Sequence, residues 1–173
     1  SKTILNLFSY SGGFSIYALM NGAKMVHSVD SSDLACEMCQ DNTDLNQIDT
    51  QRHIISRQDI MRDSISDDVF DIVVVDPPAF AKNVKKRHQA VQAYKRLNQK
   101  ALQYVKPGGF LMTFSCSQVV GPQLFADTIR SAFIESQTYG QVLKHLEQGG
   151  DHPVAINHPE GHYLKGLLIR KQI

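Results

Sequence analysis

The chain has 173 residues, a mass of 19.4 kDa and a formal charge of +1, from 18 lysines and arginines against 17 aspartates and glutamates. Its length predicts one domain, and 42% hydrophobic with 20% charged residues excludes an intrinsically disordered chain. The near-neutral charge gives no sign of nucleic-acid binding. The longest apolar runs, such as residues 72–75, are far shorter than the ~20 residues that a membrane span requires.

The three cysteines and the lack of an apolar leader predict a chain without a disulfide framework, in a reducing cytoplasm. Strand-like sequence starts at Thr3, with no helix or linker before it. We therefore expect residues 1–173 to be a catalytic domain cut from a longer chain.

Short apolar, β-branched runs alternate with stretches of helical period, which predicts β-α-β units and a mostly parallel sheet. Seven strands are predicted, at 3–8, 24–29, 53–56, 70–75, 110–114, 141–146 and 163–170. Helices are predicted at 13–21, 32–46, 87–105 and 118–136, with a short one at 60–64, and the Pro-Gly-Gly sequence at 107–109 is expected to stop the helix before it. No helix separates the last two strands, so we expect an antiparallel C-terminal hairpin.

The loop after the first strand contains two adjacent glycines, Gly12 and Gly13, which let the backbone pass close to a ligand. In open α/β sheets, ligands bind beyond the carboxyl ends of the strands. The Gly-x-Gly-x-x-Gly fingerprint is absent, which argues against a nicotinamide or flavin cofactor. A plain glycine turn is the alternative interpretation.

Acidic residues follow the next two strands at the same edge. Asp30 follows the paired glycines at a spacing close to the ~20 residues that are typical of an acid that binds ribose hydroxyls. Ser31 or Ser32 could cap the next helix. Asp59 with Ile60 could bind an adenine amino group and cover its face, although Asp59 could equally be a cap. Together the three strand ends favour an adenosine-type ligand.

The Asp76-Pro77-Pro78 sequence after the buried strand at 70–75 is the most specific motif in the chain. Its prolines remove two backbone donors and leave carbonyl oxygens as acceptors for a base amino group. Asp76 can hydrogen-bond the same ring, and Phe80 can stack on a base that is flipped out of its stack. A structural turn at the sheet edge is the alternative.

Cys116 follows the fifth strand, one loop away from Asp76. A thiolate is a good nucleophile, and a helix that starts at 118 would favour the anion through its dipole, so we interpret Cys116 as catalytic rather than as a small buried residue. Cys36 and Cys39 are predicted to be core or half-buried residues of a helix. No spacing of cysteines or histidines indicates a metal site, and no metal is predicted.

A basic run follows the Asp-Pro-Pro motif. It consists of Lys82, Lys85, Lys86 and Arg87, then Lys95, Arg96 and Lys100 on the next predicted helix. Such a run usually forms a solvated face. Its place beside the predicted base pocket also suits contacts to the phosphates of a nucleic acid.

Several further segments belong with these motifs: residues 6–15 (NLFSYSGGFS), 29–32 (VDSS), 76–82 (DPPAFAK), 107–109 (PGG), 115–117 (SCS), 151–154 (DHPV) and 163–166 (YLKG). Together they resemble the catalytic domain of bacterial 23S ribosomal RNA cytosine-5 methyltransferases of the large-subunit methyltransferase I type. These are class I, Rossmann-like methyltransferases that depend on S-adenosylmethionine. The resemblance spans nearly the whole chain.

This resemblance implies S-adenosylmethionine as methyl donor, with the glycine turn near its methionine part, Asp30 on its ribose and Asp59 at its adenine. The expected cofactor-binding residues are Asn6, Phe8, Tyr10, Gly12, Gly13, Phe14, Asp30, Ser31, Asp59, Ile60 and Asp76. The expected residues at the base of the substrate, 23S ribosomal RNA, are Pro77, Pro78, Phe80 and Lys82. Family members usually carry N-terminal RNA-binding modules, so we expect most RNA affinity to lie outside these 173 residues.

The atoms of the substrate suggest a mechanism. C5 of cytosine is a weak nucleophile, and addition of the Cys116 thiolate to C6 would activate it while Asp76 holds or protonates the ring edge. Many RNA cytosine-5 enzymes have a second cysteine where this chain has Pro78, so the base that removes the C5 proton is not identified.

Two other functions are compatible with the sequence. One is RNA methylation on an exocyclic amine of guanine or adenine, which the position of Ala79 disfavours because the aromatic residue, Phe80, comes one residue late. The other is a cofactor-binding scaffold without catalysis.

Overall fold

The computed structural model describes residues 2–150 and 152–172, so Asp151 of the Asp-His-Pro-Val motif lies outside the described residues. Its strands are β1 (Thr3–Leu7), β2 (Met25–Asp30), β3 (His53–Arg57), β4 (Phe70–Val75), β5 (Val105–Ser115), β6 (Gly140–Leu146) and β7 (Lys165–Lys171). Its α-helices are α1 (Gly13–Met20), α2 (Asp33–Leu45), α3 (Arg87–Gln103) and α4 (Pro122–Glu135). Short 3-10 turns form at Thr50–Arg52, Val84–Lys86 and Pro159–Gly161.

The strands form one sheet in the order β3-β2-β1-β4-β5-β7-β6. Strands β1 to β5 are parallel, and β7 runs antiparallel to both β5 and β6. This confirms the predicted seven-stranded sheet with an antiparallel C-terminal hairpin. The strand order reverses between β1 and β4, and such a reversal opens a crevice at the carboxyl ends of the two strands. The loops after β1 and β4, which hold the two main motifs, therefore lie side by side.

Helices cover both faces of the sheet. Because side chains alternate along a strand, Leu5 and Leu7 of β1 pack into the core under α3 and α4, while Ile4 packs on the other side with Leu19 of α1. Burying one such side chain contributes roughly 1.5–3 kcal/mol. Among the described residues, no helix is long and apolar enough to cross a bilayer.

The Pro-Gly-Gly sequence lies inside β5 rather than ahead of it. Helix α3 already ends at Gln103, and β5 starts at Val105, which pairs with Phe70 ahead of an irregularity in the β4–β5 register. Gly108 has a φ of +75°, and a Cβ on Gly109 would lie 2.9 Å from the Asp71 carbonyl oxygen. The prediction that residues 107–109 end the helix and precede the strand was therefore wrong: the glycines bend a strand.

Two helix predictions also need correction. Residues 60–64 form a turn and not a helix, because the Asp59 carboxylate accepts from Met61 N (2.9 Å) and Asp59 N donates to Asp63 (2.7 Å). Helix α4 begins at Pro122 instead of residue 118, in keeping with the preference of proline for the first helical turn. The final strand begins at Lys165, two residues later than predicted.

Candidate active site

The loop from β1 to α1 has a backbone conformation that few residues adopt. Phe8 (φ +60°), Tyr10 (φ +47°) and Gly12 (φ +81°) are all left-handed, and such a conformation costs a non-glycine residue about 1–2 kcal/mol. A Cβ on Gly12 would lie 2.6 Å from the Cys39 sulfur, whereas one on Gly13 would meet nothing within 4 Å. Gly12 is thus required by packing against α2, and Gly13 borders open space at the start of α1.

The Asp30 carboxylate joins this loop to the end of β2. One carboxylate oxygen accepts from Tyr10 N (3.0 Å) and the other from Ser32 N (3.0 Å). The Ser32 hydroxyl accepts from Ala35 N (3.3 Å), so Ser32, and not the exposed Ser31, caps α2. Each carboxylate oxygen can accept a second hydrogen bond, so Asp30 remains able to bind a pair of hydroxyls.

Asn6 supports the loop from below. Its side chain is 1% exposed and donates to the Ser15 hydroxyl (2.9 Å), which in turn bonds Ser28 (2.6 Å) and, through it, His53 (2.7 Å). Asn6 Oδ1 and the buried Ser9 hydroxyl have no hydrogen-bond partner in the described part of the chain. The loop therefore presents unpaired polar atoms at its base, while the Asn6 side chain itself lies in the interior.

Three aromatic residues that are predicted to contact the cofactor lie in this loop or at the start of α1. Phe14 stacks on Phe114 with ring centroids 5.7 Å apart and stays partly exposed, and Tyr10 projects into solvent. Phe8 packs on the core under α3 and α4. Phe14 and Tyr10 can therefore contact a ligand, whereas Phe8 chiefly anchors the loop.

Asp59 and Ile60 follow β3 at the same edge. Asp59 holds the turn described above and pairs with Arg62 (3.4 Å), so it stabilises a turn at residues 60–64 rather than capping a helix there. Its side chain remains 42% exposed, which leaves the carboxylate accessible to a ligand. Ile60 is 2% exposed and belongs to the core, so little of it is left to cover a ring.

The Asp-Pro-Pro segment begins where β4 ends, beside β1, with Asp76 N donating to Leu7 O (3.4 Å). No described residue donates a hydrogen bond to the Asp76 carboxylate, and burial raises its pKa. Pro77 is buried and Pro78 is exposed. Phe80 packs edge-on against Tyr94 with centroids 4.7 Å apart, which fixes one side of its half-buried ring.

The Cys116 thiol lies next to the Asp-Pro-Pro segment, 3.9 Å from the Pro77 carbonyl oxygen. Burial raises the pKa of this thiol, and the charge of Asp76 raises it further. The expected help from a helix dipole is wrong, because α4 begins only at Pro122. The structure thus confirms that Cys116 and Asp76 lie together but removes the predicted cause of thiolate formation.

Lys165 is a neighbour of Cys116 that the sequence-based prediction missed. Its ammonium donates to Ser117 O (2.6 Å) and Tyr163 O (2.9 Å), and Lys165 pairs with Ser115 across the β5–β7 ladder. In the sequence, segment 163–166 stands out only as part of a family motif. Nothing in its local pattern gives the register that brings it beside β5.

The basic run divides into two parts. Its first part is exposed throughout and comprises Lys82, Lys85, Lys86 and Arg87. Within the second, Lys95 pairs with Glu135 (2.8 Å) and Lys100 donates to the Asp63 carbonyl oxygen, while Arg96 is exposed. The segment at 82–87 is therefore the part best suited to contact phosphates.

The remaining cysteines lie where the sequence predicted them. Cys39 is fully buried and Cys36 half-buried in α2. No group of three metal-ligating side chains exists among the described residues.

A doubly wound sheet with a glycine turn after β1 and an acid at the end of β2 defines a Rossmann-like protein that binds an adenosine-containing ligand. Residues 1–168 match the model of the S-adenosylmethionine-dependent methyltransferase family, and the chain belongs to that family. The prediction of S-adenosylmethionine as cofactor is thereby confirmed.

The chain is similar to proteins named "Ribosomal RNA large subunit methyltransferase I" from Tolumonas auensis (39% identity) and Aeromonas salmonicida (40%). In both comparisons the match covers 98% of this chain and 44% of the relative. Among solved structures it resembles SMU.776, assigned as a methyltransferase and crystallised with SAH, at a TM-score of 0.82 and 25% identity over 98% of this chain and 45% of that one. The chain thus spans less than half the length of these relatives.

The residues at this edge fit S-adenosylmethionine. Asp30 offers paired acceptors of the kind that ribose hydroxyls need, and the space beside Gly13 leaves room for a ligand. The unpaired Asn6 and Ser9 oxygens lie at the base of the same loop. Which residues contact the cofactor stays a prediction.

Proposed function

We propose that this protein transfers a methyl group from S-adenosylmethionine to C5 of a cytosine in 23S ribosomal RNA. The observation that carries the proposal is the thiol of Cys116, 3.9 Å from the Pro77 carbonyl oxygen and beside the Asp76 carboxylate. The names of the curated relatives support ribosomal RNA as the substrate. An amine methyltransferase needs no thiol at this position.

Cys116 acts as the nucleophile in this reaction. The Cys116 thiolate adds to C6 of the ring, the π electrons of the C5–C6 double bond shift towards C4, N3 takes up a proton that it returns after the last step, and C5 becomes nucleophilic. The bound cofactor would supply an electrophilic methyl group to C5 and be left as S-adenosylhomocysteine. A base then removes the C5 proton, and the electrons of that bond expel the thiolate and restore the C5–C6 double bond.

Asp76 and the two prolines would orient the ring. Because burial raises the pKa of Asp76, this carboxyl group can keep a proton at higher pH than an exposed aspartate and share it with the ring edge. The Pro77 and Pro78 carbonyl oxygens can accept from the exocyclic amine, and Phe80 can pack on the base. Lys82 and the residues after it would contact neighbouring phosphates.

Replacing the nucleophile tests the proposal. Cys116→Ala should lower methyl transfer to 23S ribosomal RNA by more than about 100-fold, since it removes a covalent step. Its affinity for S-adenosylmethionine, measured by calorimetry, should stay within about twofold, because Cys116 is not among the residues expected to bind the cofactor. Cys36→Ser is the matched control and should keep both properties, because it retains a donor for the Asp30 carbonyl oxygen that the Cys36 thiol contacts at 3.9 Å.

The modified nucleoside distinguishes the alternatives. Mass analysis of digested RNA should give 5-methylcytidine for the unaltered protein. Turnover retained in Cys116→Ala, with a product methylated on guanine or adenine nitrogen, would reject the thiol mechanism in favour of amine methylation. Cofactor binding without any methylated RNA would instead support a scaffold.

A further inference from the structure

The surroundings of Cys116 pose a chemical problem. A nucleophilic cysteine reacts as the thiolate, yet burial and the Asp76 carboxylate both raise the pKa of this thiol. Helix α4 begins at Pro122 and not at residue 118, so its first turn does not directly follow the cysteine. Backbone hydrogen bonds at Cys116 and Ala79 lower this pKa, and a neighbouring cation is a further means by which a protein can stabilise a thiolate.

Among the described residues, Lys165 is the cationic side chain that acts on the Cys116 thiol. Its side chain is tied to backbone oxygens on both flanks, Ser117 O at 2.6 Å and Tyr163 O at 2.9 Å. An ammonium group has three donors, so two of them fix its position and one remains. The charged groups that face Cys116 are then Asp76 after β4 and Lys165 on β7, with the titratable Tyr94 of α3 beneath them.

Strand β7, which carries Lys165, packs closely against β5. Lys165 pairs with Ser115 and the following Gly166 with Phe114. A Cβ on Gly166 would lie 2.5 Å from the Phe114 ring, so only glycine lets β7 lie this close to β5. The Lys-Gly pair thus brings an ammonium group to the end of β5, next to the cysteine.

We propose that Lys165 is a positioning residue that holds its ammonium group beside Cys116 and thereby favours the thiolate. When the thiol loses its proton to solvent, the Cys116 sulfur becomes negatively charged. The Asp76 carboxylate disfavours this charge, and the Lys165 ammonium group compensates it. The same charge would stabilise the sulfur again when it leaves the substrate ring. This inference rests on the proposed role of Cys116 as nucleophile.

The test measures the thiol directly, without RNA. The rate at which iodoacetamide alkylates Cys116 is followed against pH, and the peptide that contains residue 116 is quantified by mass spectrometry so that Cys36 does not interfere. Lys165→Met should move the inflection of this profile to higher pH and slow alkylation near pH 7.5 by about 3- to 10-fold. Lys165→Arg should keep the inflection, and Lys144→Met, on the exposed strand β6, should leave the profile unchanged.

A second variant excludes a merely structural effect. Lys165→Gln keeps donors for the two carbonyl oxygens but removes the charge, so it should shift the inflection as Lys165→Met does. Loosened packing would instead raise the plateau rate at high pH and leave the inflection in place. An unshifted inflection in Lys165→Gln and Lys165→Met would overturn the inference.

The outcome is separate from that of the proposed function. Methyl transfer that survives in Cys116→Ala would reject the nucleophile, even if the alkylation profile depends on Lys165. Loss of transfer in Cys116→Ala with an alkylation profile that ignores Lys165 would keep the nucleophile and reject the role of the lysine.

Discussion

Two adjacent glycines of the first loop meet different physical requirements. Gly12 has a left-handed backbone and no room for a Cβ beside Cys39, whereas Gly13 begins a helix and borders open space. The first is a requirement of folding, and the second leaves open space at the place where we expect the cofactor. Substitution by alanine should therefore separate stability from binding.

Gly12→Ala should lower the free energy of unfolding by about 2–4 kcal/mol, because it adds backbone strain to a steric clash. Gly13→Ala should leave the stability of the cofactor-free protein within about 0.5 kcal/mol but weaken S-adenosylmethionine binding. Urea unfolding and calorimetry measure the two effects. In the double variant Gly12→Ala/Cys39→Ala the clash is gone, so the combined loss should be smaller than the sum of the single losses; additive losses would contradict this account.

At the residue scale the sequence predicted types of side chain better than their environments. Asp30 and Asp76 could be placed because one ends a strand and the other directly follows a strand, and the carboxyl ends of both strands face the crevice. The burial of Asn6 depends on Ser15, Ser28 and other residues of separate elements, which no local pattern reveals. The neighbour of Cys116 was missed for the same reason, since it comes from a strand far along the chain.

At the scale of elements, periodicity located every strand and long helix but not all of their ends. The Pro-Gly-Gly sequence is typical of a helix stop and loop, and here it forms a bent part of β5 because Val105 pairs with Phe70. Tertiary pairing outweighs local turn propensity at this point. The shift of the α4 start to Pro122 mattered more, since it removed the helix dipole from Cys116.

The exposed basic segment after the Asp-Pro-Pro motif should make a measurable contribution to RNA binding. Changing Lys82, Lys85 and Lys86 to glutamine should weaken binding of a single-stranded RNA oligonucleotide. It should also reduce the slope of log K against log salt by roughly 0.7 for each phosphate that a lysine no longer neutralises. Affinity for S-adenosylmethionine should not change. Fluorescence anisotropy over a range of salt concentrations measures the slope.

A charge-matched variant is the control for this segment. Lys24, Lys144 and Arg170 are exposed at other places in the structure. Changing these three to glutamine removes the same charge and should alter the slope much less. An equal loss in both variants would show that RNA responds to net charge and not to this segment.

For the whole molecule, the sheet gathers the candidate functional groups at the carboxyl ends of its strands, and a buried polar network joins strands β1, β2 and β3 nearby. His53 is 6% exposed and bonds Ser28 (2.7 Å) and Thr43 (2.8 Å), so one imidazole connects β2, β3 and α2 close to the loop from β1 to α1. Burial, with the nearby His27, lowers the pKa of His53 to about 4. Burial therefore favours the neutral form of this ring in the folded chain.

Stability should consequently fall on mild acidification. The unfolded chain binds a proton at His53 near pH 6.5 and the folded chain only near pH 4, so the full contribution is present above pH 6.5 and is lost between these values. The loss is on the order of 3 kcal/mol. Burial lowers the pKa of His27 as well, which adds to the same trend. Urea unfolding at intervals from pH 7.5 to 4 should show that the free energy of unfolding falls as the pH is lowered. His53→Asn should flatten this dependence on pH, whereas His145→Asn, on exposed β6, should leave it unchanged. A dependence that persists in His53→Asn would assign it to other groups.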